Sequence, residues 1–234
     1  MTPSDSDKRF FYNRIANEFI LLDHPYDLER RLTLVFKELL SEYSLSGAMV
    51  LDAGCGYGAF SARAKQAGAS VFSLDIADRL VKITTEYADT GGIVGDACKL
   101  SFRTATFDFV ISSEMIEHTL SPSNAIGELA RVLKPGGILV ITTPNKIWQG
   151  PVRLASSLRL RPFQGLENFL SWKEIREIAV DNPLRVISHV GFHLWPFQFG
   201  FNRWSRAADH VFGEGLLGRW MINQALVAVK KSPR

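Results

Sequence analysis

The sequence has little cysteine and no long apolar run, and both shortages limit what the protein can be. Only two of its 234 residues are cysteine, so a disulfide-stabilised secreted fold is not expected. No run of about 18 apolar residues occurs, so no membrane-spanning helix is predicted. Residues 1–9 are polar, lack the apolar segment of a signal peptide and are predicted to be disordered. A cytoplasmic protein with one globular domain is the simplest interpretation.

Charge is distributed unevenly along the chain. Residues 1–145 contain 14 Lys and Arg against 18 Asp and Glu, whereas residues 146–234 contain 13 against 6. A basic C-terminal part can face nucleic acid, anionic lipid or a phosphorylated substrate, but a solvated surface is the stronger interpretation. No basic cluster of the density that RNA-binding modules use is present, so nucleic acid is not expected as a partner.

The segment at residues 49–58 organises the rest of the chain. A short apolar strand over Met49–Ala53 leads into a turn with glycine at every second position, Gly54, Gly56 and Gly58, and a helix is predicted over residues 59–67. Alternate glycines let the backbone approach a ligand where a Cβ atom would collide, and the helix points its first N–H groups towards that ligand. The spacing lacks the second gap of Gly-x-Gly-x-x-Gly, which disfavours a nicotinamide dehydrogenase.

Three further strands are predicted to end in polar residues. Strand Ser70–Asp75 ends in an acid, a short strand at 93–94 precedes Gly-Asp-Ala at 95–97, and strand Phe107–Ser113 leads into Glu-x-x-Glu-His at 114–118. Ligands of open α/β sheets bind at the carboxyl ends of the strands, so these residues are expected to meet there.

This ordered set, completed by Lys-Pro-Gly-Gly and an apolar strand at 134–141, resembles the class I S-adenosylmethionine-dependent methyltransferases. The nearest likeness is to the small-molecule group that includes the ubiquinone-biosynthesis O-methyltransferases, and it covers residues 49–145. The resemblance implies a doubly wound, Rossmann-like α/β sandwich whose seven-stranded, mostly parallel sheet has its last strand antiparallel. It also implies S-adenosylmethionine as methyl donor and S-adenosylhomocysteine as product.

The resemblance assigns cofactor-binding roles to a defined set: Asp52, Gly54, Gly56, Gly58, Asp75, Ile76, Asp96, Ala97, Ser112 and Ser113. The glycines would lie against the methionine portion, and Asp52 would orient their turn or meet the amino group through water. Asp75 would accept from the ribose hydroxyls, with Ile76 on the adenine face. Asp96 would accept from the adenine amino group, with the Ala97 N–H on the ring. Ser112 and Ser113 would offer backbone groups near the methionine amine.

His118 is the candidate catalytic base, because it follows the fourth strand near the expected methyl group. A histidine that only bonds the backbone at a helix start is the alternative. Glu114, Glu117 and His118 resemble a set linked to Mg²⁺ in ubiquinone O-methyltransferases, and whether they hold a metal is left open. Arg30 and Arg31 lie near the place where those enzymes use an arginine against the methionine carboxylate; the alternative is solvent-facing helix charges.

The flanking segments are predicted to cover the site. Residues 1–46 would form an N-terminal helical cap, with a short helix over residues 9–19, Asp27 as a helix cap and an amphipathic helix over 28–43. Residues 47–234 would form the methyltransferase domain, with insertions at 144–170, which shows no long regular pattern, and at 191–218. Helices are also expected over 78–88, from Pro122 to about 133 and from the capping box at Ser171 to about 181, with strands at 138–143, 184–190 and 221–230.

The two insertions would roof an acceptor pocket. Their aromatic residues Trp148, Phe163, Trp195 and Phe197 suit an apolar acceptor, whereas a cluster that only closes the sheet edge is the alternative for residues 192–199. Peripheral contact with a membrane or a lipid substrate is left open, as is the oligomeric state.

The predicted function is methyl transfer to a small-molecule hydroxyl of a metabolite, lipid-linked or glycosylated compound. An N-methyltransferase, an RNA or protein methyltransferase and a non-enzymatic module that only binds S-adenosylmethionine are the alternatives. No Asn-Pro-Pro-Tyr-type motif for amino-group targets follows the fourth strand.

Overall fold

Seven strands form one sheet in the computed structural model, which describes residues 5–19, 24–158, 165–195, 209 and 211–232. The order is β3-β2-β1-β4-β5-β7-β6. The strands are β1 Met49–Ala53, β2 Ser70–Asp75, β3 Gly91–Val94, β4 Phe107–Ser113, β5 Leu133–Pro144, β6 Leu184–Phe192 and β7 Asn223–Lys230. Strands β1 to β5 pair in parallel, and β7 runs antiparallel to both β5 and β6. The predicted α/β sheet with an antiparallel last strand is confirmed.

The sheet reverses its direction of growth at β1. This strand pairs with β2 on one side and with β4 on the other, so the connections leave in opposite directions. The divergence opens a crevice at the carboxyl ends of β1 and β4, which is where ligands of such sheets bind.

Helices cover both faces of the sheet. They are α1 Asp5–Ile15, α2 Pro25–Thr33, α3 Ala59–Gln66, α4 Asp78–Ala88, α5 Pro122–Val132, α6 Gln149–Ser157 and α7 Trp172–Asp181. The predicted capping box is present, since Ser171 and Glu174 bond reciprocally, and Ser121 Oγ accepts from the Asn124 N–H at the start of α5. None of the helices in these described ranges is both long and apolar enough to cross a membrane.

Alternate residues of the strands face two separate core layers. One layer receives Leu51, Val110, Leu139 and Ala228, which lie side by side across four strands. Their neighbours Val50, Phe109, Ile138 and Val229 face the other layer. Burial on both faces is the reason that these strands read as continuous apolar runs in the sequence.

The N-terminal predictions need three corrections. Residues 5–9 are helical rather than disordered, and α1 is fixed on α4 because Arg9 and Asn13 both donate to Asp78 Oδ1, at 3.2 and 2.7 Å. His24, not Asp27, caps α2, since its Nδ1 accepts from the Tyr26 N–H. The amphipathic helix over 28–43 is instead α2 followed by a π-helix over Leu34–Leu39.

The start of one strand and the structure of one insertion in the second half of the chain also differ from the prediction. Strand β5 begins at Leu133 rather than 138, because Leu133 already pairs with Phe107 before an irregularity in the ladder. The insertion at 144–170 contains a 3-10 turn over Lys146–Trp148 and the helix α6, so its three prolines did not prevent regular structure there.

Candidate active site

One cavity of about 630 Å³ opens at the carboxyl ends of β1, β2 and β4. It is covered from the N-terminal side by α1 and α2. Most of the residues predicted for the site line it: Gly54, Gly56, Asp75, Ile76, Asp96, Ala97, Ser113 and His118. Asp52, Gly58 and Ser112 do not.

The glycine turn has left-handed backbone at each glycine, with φ of +82° at Gly54, +54° at Gly56 and +98° at Gly58. Residues other than glycine rarely adopt this backbone conformation, because their Cβ atom is crowded there. A Cβ atom on Gly54 would collide with the side chain of Met115, which also lines the cavity. The turn therefore brings bare backbone to the cavity wall, and Met115 packs directly against it.

Asp75 lies at the tip of β2 and is almost completely buried. Its Oδ2 accepts from the Gly56 N–H at 3.1 Å and its Oδ1 accepts from the Ala77 N–H at 3.0 Å. Burial raises the pKa of Asp75 to about 6, although both hydrogen bonds act to lower it. A carboxylate has about four acceptor positions, so this one can still accept from a ligand.

The three predicted residues outside the cavity lining belong to β1, to the end of the glycine turn and to β4. Asp52 Oδ2 accepts from Ser61 Oγ at 2.6 Å, and burial raises the pKa of Asp52 to about 6. Gly58 precedes the first residue of α3. Ser112 Oγ is buried without a hydrogen-bond partner in the described part of the chain. Side-chain contact with a ligand in this cavity is therefore not expected from Asp52 or Ser112.

Asp96 follows β3, which β2 and β1 separate from β4 in the sheet. Its Oδ1 accepts from the Cys98 N–H at 2.9 Å, which closes a short turn after β3. The preceding Gly95 N–H donates to the Asp75 backbone carbonyl at 2.9 Å. The ends of β2 and β3, which carry the two acids, are thus joined by a backbone hydrogen bond.

His118 ends a 3-10 turn over Ile116–His118 and is partly buried in the cavity wall. Its Nδ1 lies 2.7 Å from the backbone oxygen of Leu166. A carbonyl oxygen only accepts, so Nδ1 carries the proton and Nε2 of the neutral ring is the acceptor. Nε2 lies 3.8 Å from Glu117 Oε1.

Two acids, the half-buried Glu114 and the buried Glu117, lie between the end of β4 and His118. Glu114 Oε1 accepts from Thr142 Oγ1 at 3.0 Å, and Glu117 Oε2 accepts from Thr143 Oγ1 at 2.9 Å. Burial raises the pKa of Glu117 to about 7, and burial together with the Glu117 charge raises the pKa of Glu114. Within the ranges that the structure describes, no group of three or more His, Cys, Asp or Glu is arranged to hold a metal ion.

Arg30 and Arg31 are both buried, so neither is a solvent-facing charge. Arg31 lines the cavity, where its Nε donates to Asp27 Oδ2 at 2.9 Å and its Nη1 donates to Ser113 Oγ at 3.2 Å. Arg30 points elsewhere and pairs with Glu38 and Asp209. Of the two arginines, only Arg31 is placed to meet a ligand.

Sequence reasoning missed several polar residues of the cavity lining, among them Lys8, Tyr12 and Glu167. The ring of Tyr12 lies 6.2 Å from the ring of His118, centroid to centroid, and burial raises the pKa of Tyr12. Lys8 and Tyr12 are four positions apart, which places them on one face of α1. That spacing could have indicated a helix with both side chains on one face. It was overlooked because residues 1–9 were predicted to be disordered.

The predicted roof is only partly seen. Val152 of α6 and Phe169 line the cavity, whereas Trp148 and Trp195 do not. Phe192 of the aromatic stretch is fully buried in the core beside β7, as the sheet-edge alternative expects. Phe163 and Phe197 lie outside the described residues.

Comparison with known proteins agrees with this geometry. Residues 51–141 match the methyltransferase domain family. A ubiquinone biosynthesis O-methyltransferase of Bartonella bacilliformis is 27% identical over 188 residues, which cover 75% of this chain and 76% of the relative. That of Xanthomonas oryzae pv. oryzae is 34% identical over 150 residues, covering 61% of this chain and 62% of the relative.

A solved structure extends the likeness over the whole fold. Magnesium protoporphyrin IX methyltransferase of Synechocystis, with bound S-adenosylhomocysteine, has a TM-score of 0.69 at 20% identity, covering 97% of this chain and 100% of that one. At this identity the match is evidence for the fold alone. The domain match shows a methyltransferase domain over residues 51–141, and the relatives support an S-adenosylmethionine-dependent methyltransferase.

Proposed function

We propose that this protein transfers the methyl group of S-adenosylmethionine to a hydroxyl oxygen of a small molecule, with His118 as the base. The observation that carries the proposal is the contact of His118 Nδ1 with the Leu166 carbonyl. This contact leaves Nε2 as the acceptor nitrogen of a histidine that lines the same cavity as the glycine turn. A methyl acceptor with an O–H group needs such an acceptor within reach when its oxygen attacks.

The cavity has the features that S-adenosylmethionine requires. The bare backbone at Gly54 and Gly56 suits the methionine portion, and the buried Asp75 suits a pair of ribose hydroxyls. Asp96 and Ala97 would meet the adenine edge, with Ile76 against its face. The methionine carboxylate would meet the guanidinium of Arg31, the buried cation beside Ser113.

S-adenosylmethionine supplies an activated methyl group, so the protein has to position the acceptor and exclude water. Tyr12 on α1, Val152 on α6 and Phe169 enclose the side of the cavity that contains His118. The N-terminal cap of residues 1–46 and the insertions at 144–170 and 191–218 would thus shape the acceptor space of one domain spanning residues 47–234. A cytoplasmic location belongs to the same proposal.

An amine acceptor is a second candidate, because carboxylates line the same end of the cavity. Glu114, Glu117 and Glu167 all lie in the wall near His118. An ammonium group would be stabilised there, and its binding would favour ionisation of acids whose pKa burial has raised. An amine would also need to lose a proton before it could attack.

The test is a methyl-transfer assay with two probes of similar shape, a 4-alkylcatechol and a 4-alkylbenzylamine. We expect methylation of the catechol and an about 10²-fold lower kcat for His118→Ala, with the dissociation constant of S-adenosylmethionine changed by less than about threefold. His189→Ala, which removes a histidine outside the cavity lining, is the control. Methylation of the amine alone would favour the second candidate, and full kcat in His118→Ala would remove the proposed base.

A further inference from the structure

The segment over residues 166–169 lies against the 3-10 turn that carries His118. The Leu166 carbonyl accepts from His118 Nδ1, as described above. Two residues further on, the Asn168 N–H donates to the Glu117 carbonyl at 2.7 Å, and Asn168 Nδ2 donates to the Thr119 carbonyl at 2.8 Å. Asn168 therefore bonds the backbone on both sides of His118.

We propose that Asn168 is a positioning residue that holds His118 in register with the Leu166 carbonyl. The inference rests on the proposed function, since it assigns Asn168 to the residue proposed as the base. Asn168 is not in the cavity lining, so it would act through His118 rather than on a ligand.

The turn around His118 needs such a partner. A single 3-10 turn has no following helical residues to bond its last carbonyls, and these groups require partners from elsewhere. Asn168 supplies both, one from its backbone and one from its side chain. Because the backbone is held on both sides of residue 118, the point from which the His118 side chain leaves the backbone stays fixed relative to the Leu166 carbonyl.

The bonding segment is itself fixed at both ends. Gln149 Nε2 of α6 donates to the Glu167 carbonyl at 3.1 Å, and the Leu170 carbonyl accepts from the Lys146 N–H at 3.1 Å. The side chain of Phe169 is buried. The insertion therefore carries the acceptor for His118 Nδ1 as well as part of the cavity wall, which couples the roof to the proposed base.

A purely structural role would also satisfy the two carbonyls, so the experiment must separate stability from positioning. Asn168→Ala removes the Nδ2 donor, and Asn168→Asp places an acceptor opposite the Thr119 carbonyl at nearly the same size. The control is Asn182→Ala, which removes an equivalent side-chain bond to the Ile178 carbonyl at the end of α7. Each variant is measured for kcat on the 4-alkylcatechol, for S-adenosylmethionine binding and for its unfolding midpoint.

We expect Asn168→Ala and Asn168→Asp to lower kcat by about tenfold or more with cofactor affinity within about twofold, because small displacements of a reacting group are costly. Asn182→Ala should keep the wild-type kcat. In a His118→Ala background, Asn168→Ala should cause no further loss, since non-additivity marks residues that act as a unit. A full kcat in Asn168→Ala, or an equal loss with and without His118, overturns the positioning role.

A readout without turnover keeps this inference separate from the proposed function. In ¹⁵N NMR, the His118 Nδ1–H should exchange with water about tenfold faster in Asn168→Ala than in the wild type and Asn182→Ala. If His118→Ala keeps full kcat, the proposed base fails, and the positioning role is then judged by this exchange rate alone. An unchanged rate overturns it.

Discussion

The backbone N–H of Gly56 donates to Asp75 Oδ2 across 3.1 Å, so the acid at the end of β2 holds the turn that follows β1. The same carboxylate accepts from the Ala77 N–H through its other oxygen. Asp75 is therefore placed both to shape the glycine turn and to accept from the ribose that we propose it binds. The same carboxylate would perform both roles, so a substitution at Asp75 tests them together. Loss of the ribose contact would weaken ligand binding, whereas loss of the bond to Gly56 would lower stability.

Replacement of Asp75 should affect binding more than folding. We expect Asp75→Ala to weaken S-adenosylhomocysteine binding by about 1.5–3 kcal/mol, the range of a hydrogen bond to a charged group. Because Gly56 also loses its acceptor, the unfolding midpoint should fall slightly. Titration calorimetry and thermal unfolding measure the two effects, and an unchanged dissociation constant would exclude Asp75 from the site.

Two glycines with similar backbone allow the contact at Gly54 to be tested separately from its conformation. Gly54 and Gly136 have φ of +82° and +78°, but a Cβ on Gly136 meets nothing within 4 Å. Gly136→Ala should cost only the left-handed backbone, about 1 kcal/mol of unfolding free energy. Gly54→Ala should cost more and displace Met115, weakening cofactor binding at least about tenfold. Equal losses of stability, with binding intact, would contradict the proposed close approach.

The adjacent arginines should separate binding from folding. Arg31→Ala is expected to weaken cofactor binding by about 10- to 100-fold, because it removes a buried cation from the cavity wall. Arg30→Ala should lower the unfolding midpoint with little effect on affinity, since it leaves Glu38 and the buried Asp209 without their partner. The reverse pattern in calorimetry would reassign the carboxylate contact to Arg30.

Glu117 should make stability depend on pH in a defined direction. Burial raises its pKa from 4.5 to about 7, so the folded state holds the proton more tightly than the unfolded state. Its stabilising contribution is complete below about pH 4.5 and is lost as pH rises through about 7. Glu117→Gln, which resembles the protonated acid, should gain on the order of 3 kcal/mol over the wild type between about pH 5 and pH 8.

The matched control for that experiment has the opposite sign. Hydrogen bonds from Arg131 lower the pKa of Glu128 from 4.5, so Glu128→Gln should be less stable than the wild type above about pH 4.5, and the difference should shrink as pH falls below that value. Denaturant unfolding at several pH values compares the three proteins. Parallel stability curves for Glu117→Gln and the wild type would mean that Glu117 titrates normally.

Local patterns were sufficient for most of the sheet. The bounds of β1, β2 and β4 follow from apolar runs that end at glycine or a carboxylate, and the cap at Ser121 follows from its position before Pro122. These features are determined by residues close together in the chain, so they can be predicted from one sequence. Because ligands of open α/β sheets bind at the carboxyl ends of the strands, Asp75 and Asp96 could also be predicted to line one cavity.

What could not be predicted depends on distant partners. Arg30 is buried because Asp209, 179 positions away, accepts from it, and no local pattern indicates that pair. The hydrogen bond from Asn168 Nδ2 to the Thr119 carbonyl likewise joins residues 49 positions apart. The helical state of residues 5–9 likewise depends on contacts of α1 with Asp78 rather than on propensity alone.

The most direct test of the account is a crystal structure with bound S-adenosylhomocysteine. We predict the ribose hydroxyls on Asp75, the adenine beside Asp96, and the sulfur about 6–8 Å from His118 Nε2. That distance leaves room for an acceptor oxygen about 3 Å from both the methyl group and the base. A sulfur more than about 10 Å from Nε2, or a ribose away from Asp75, would contradict the proposed arrangement.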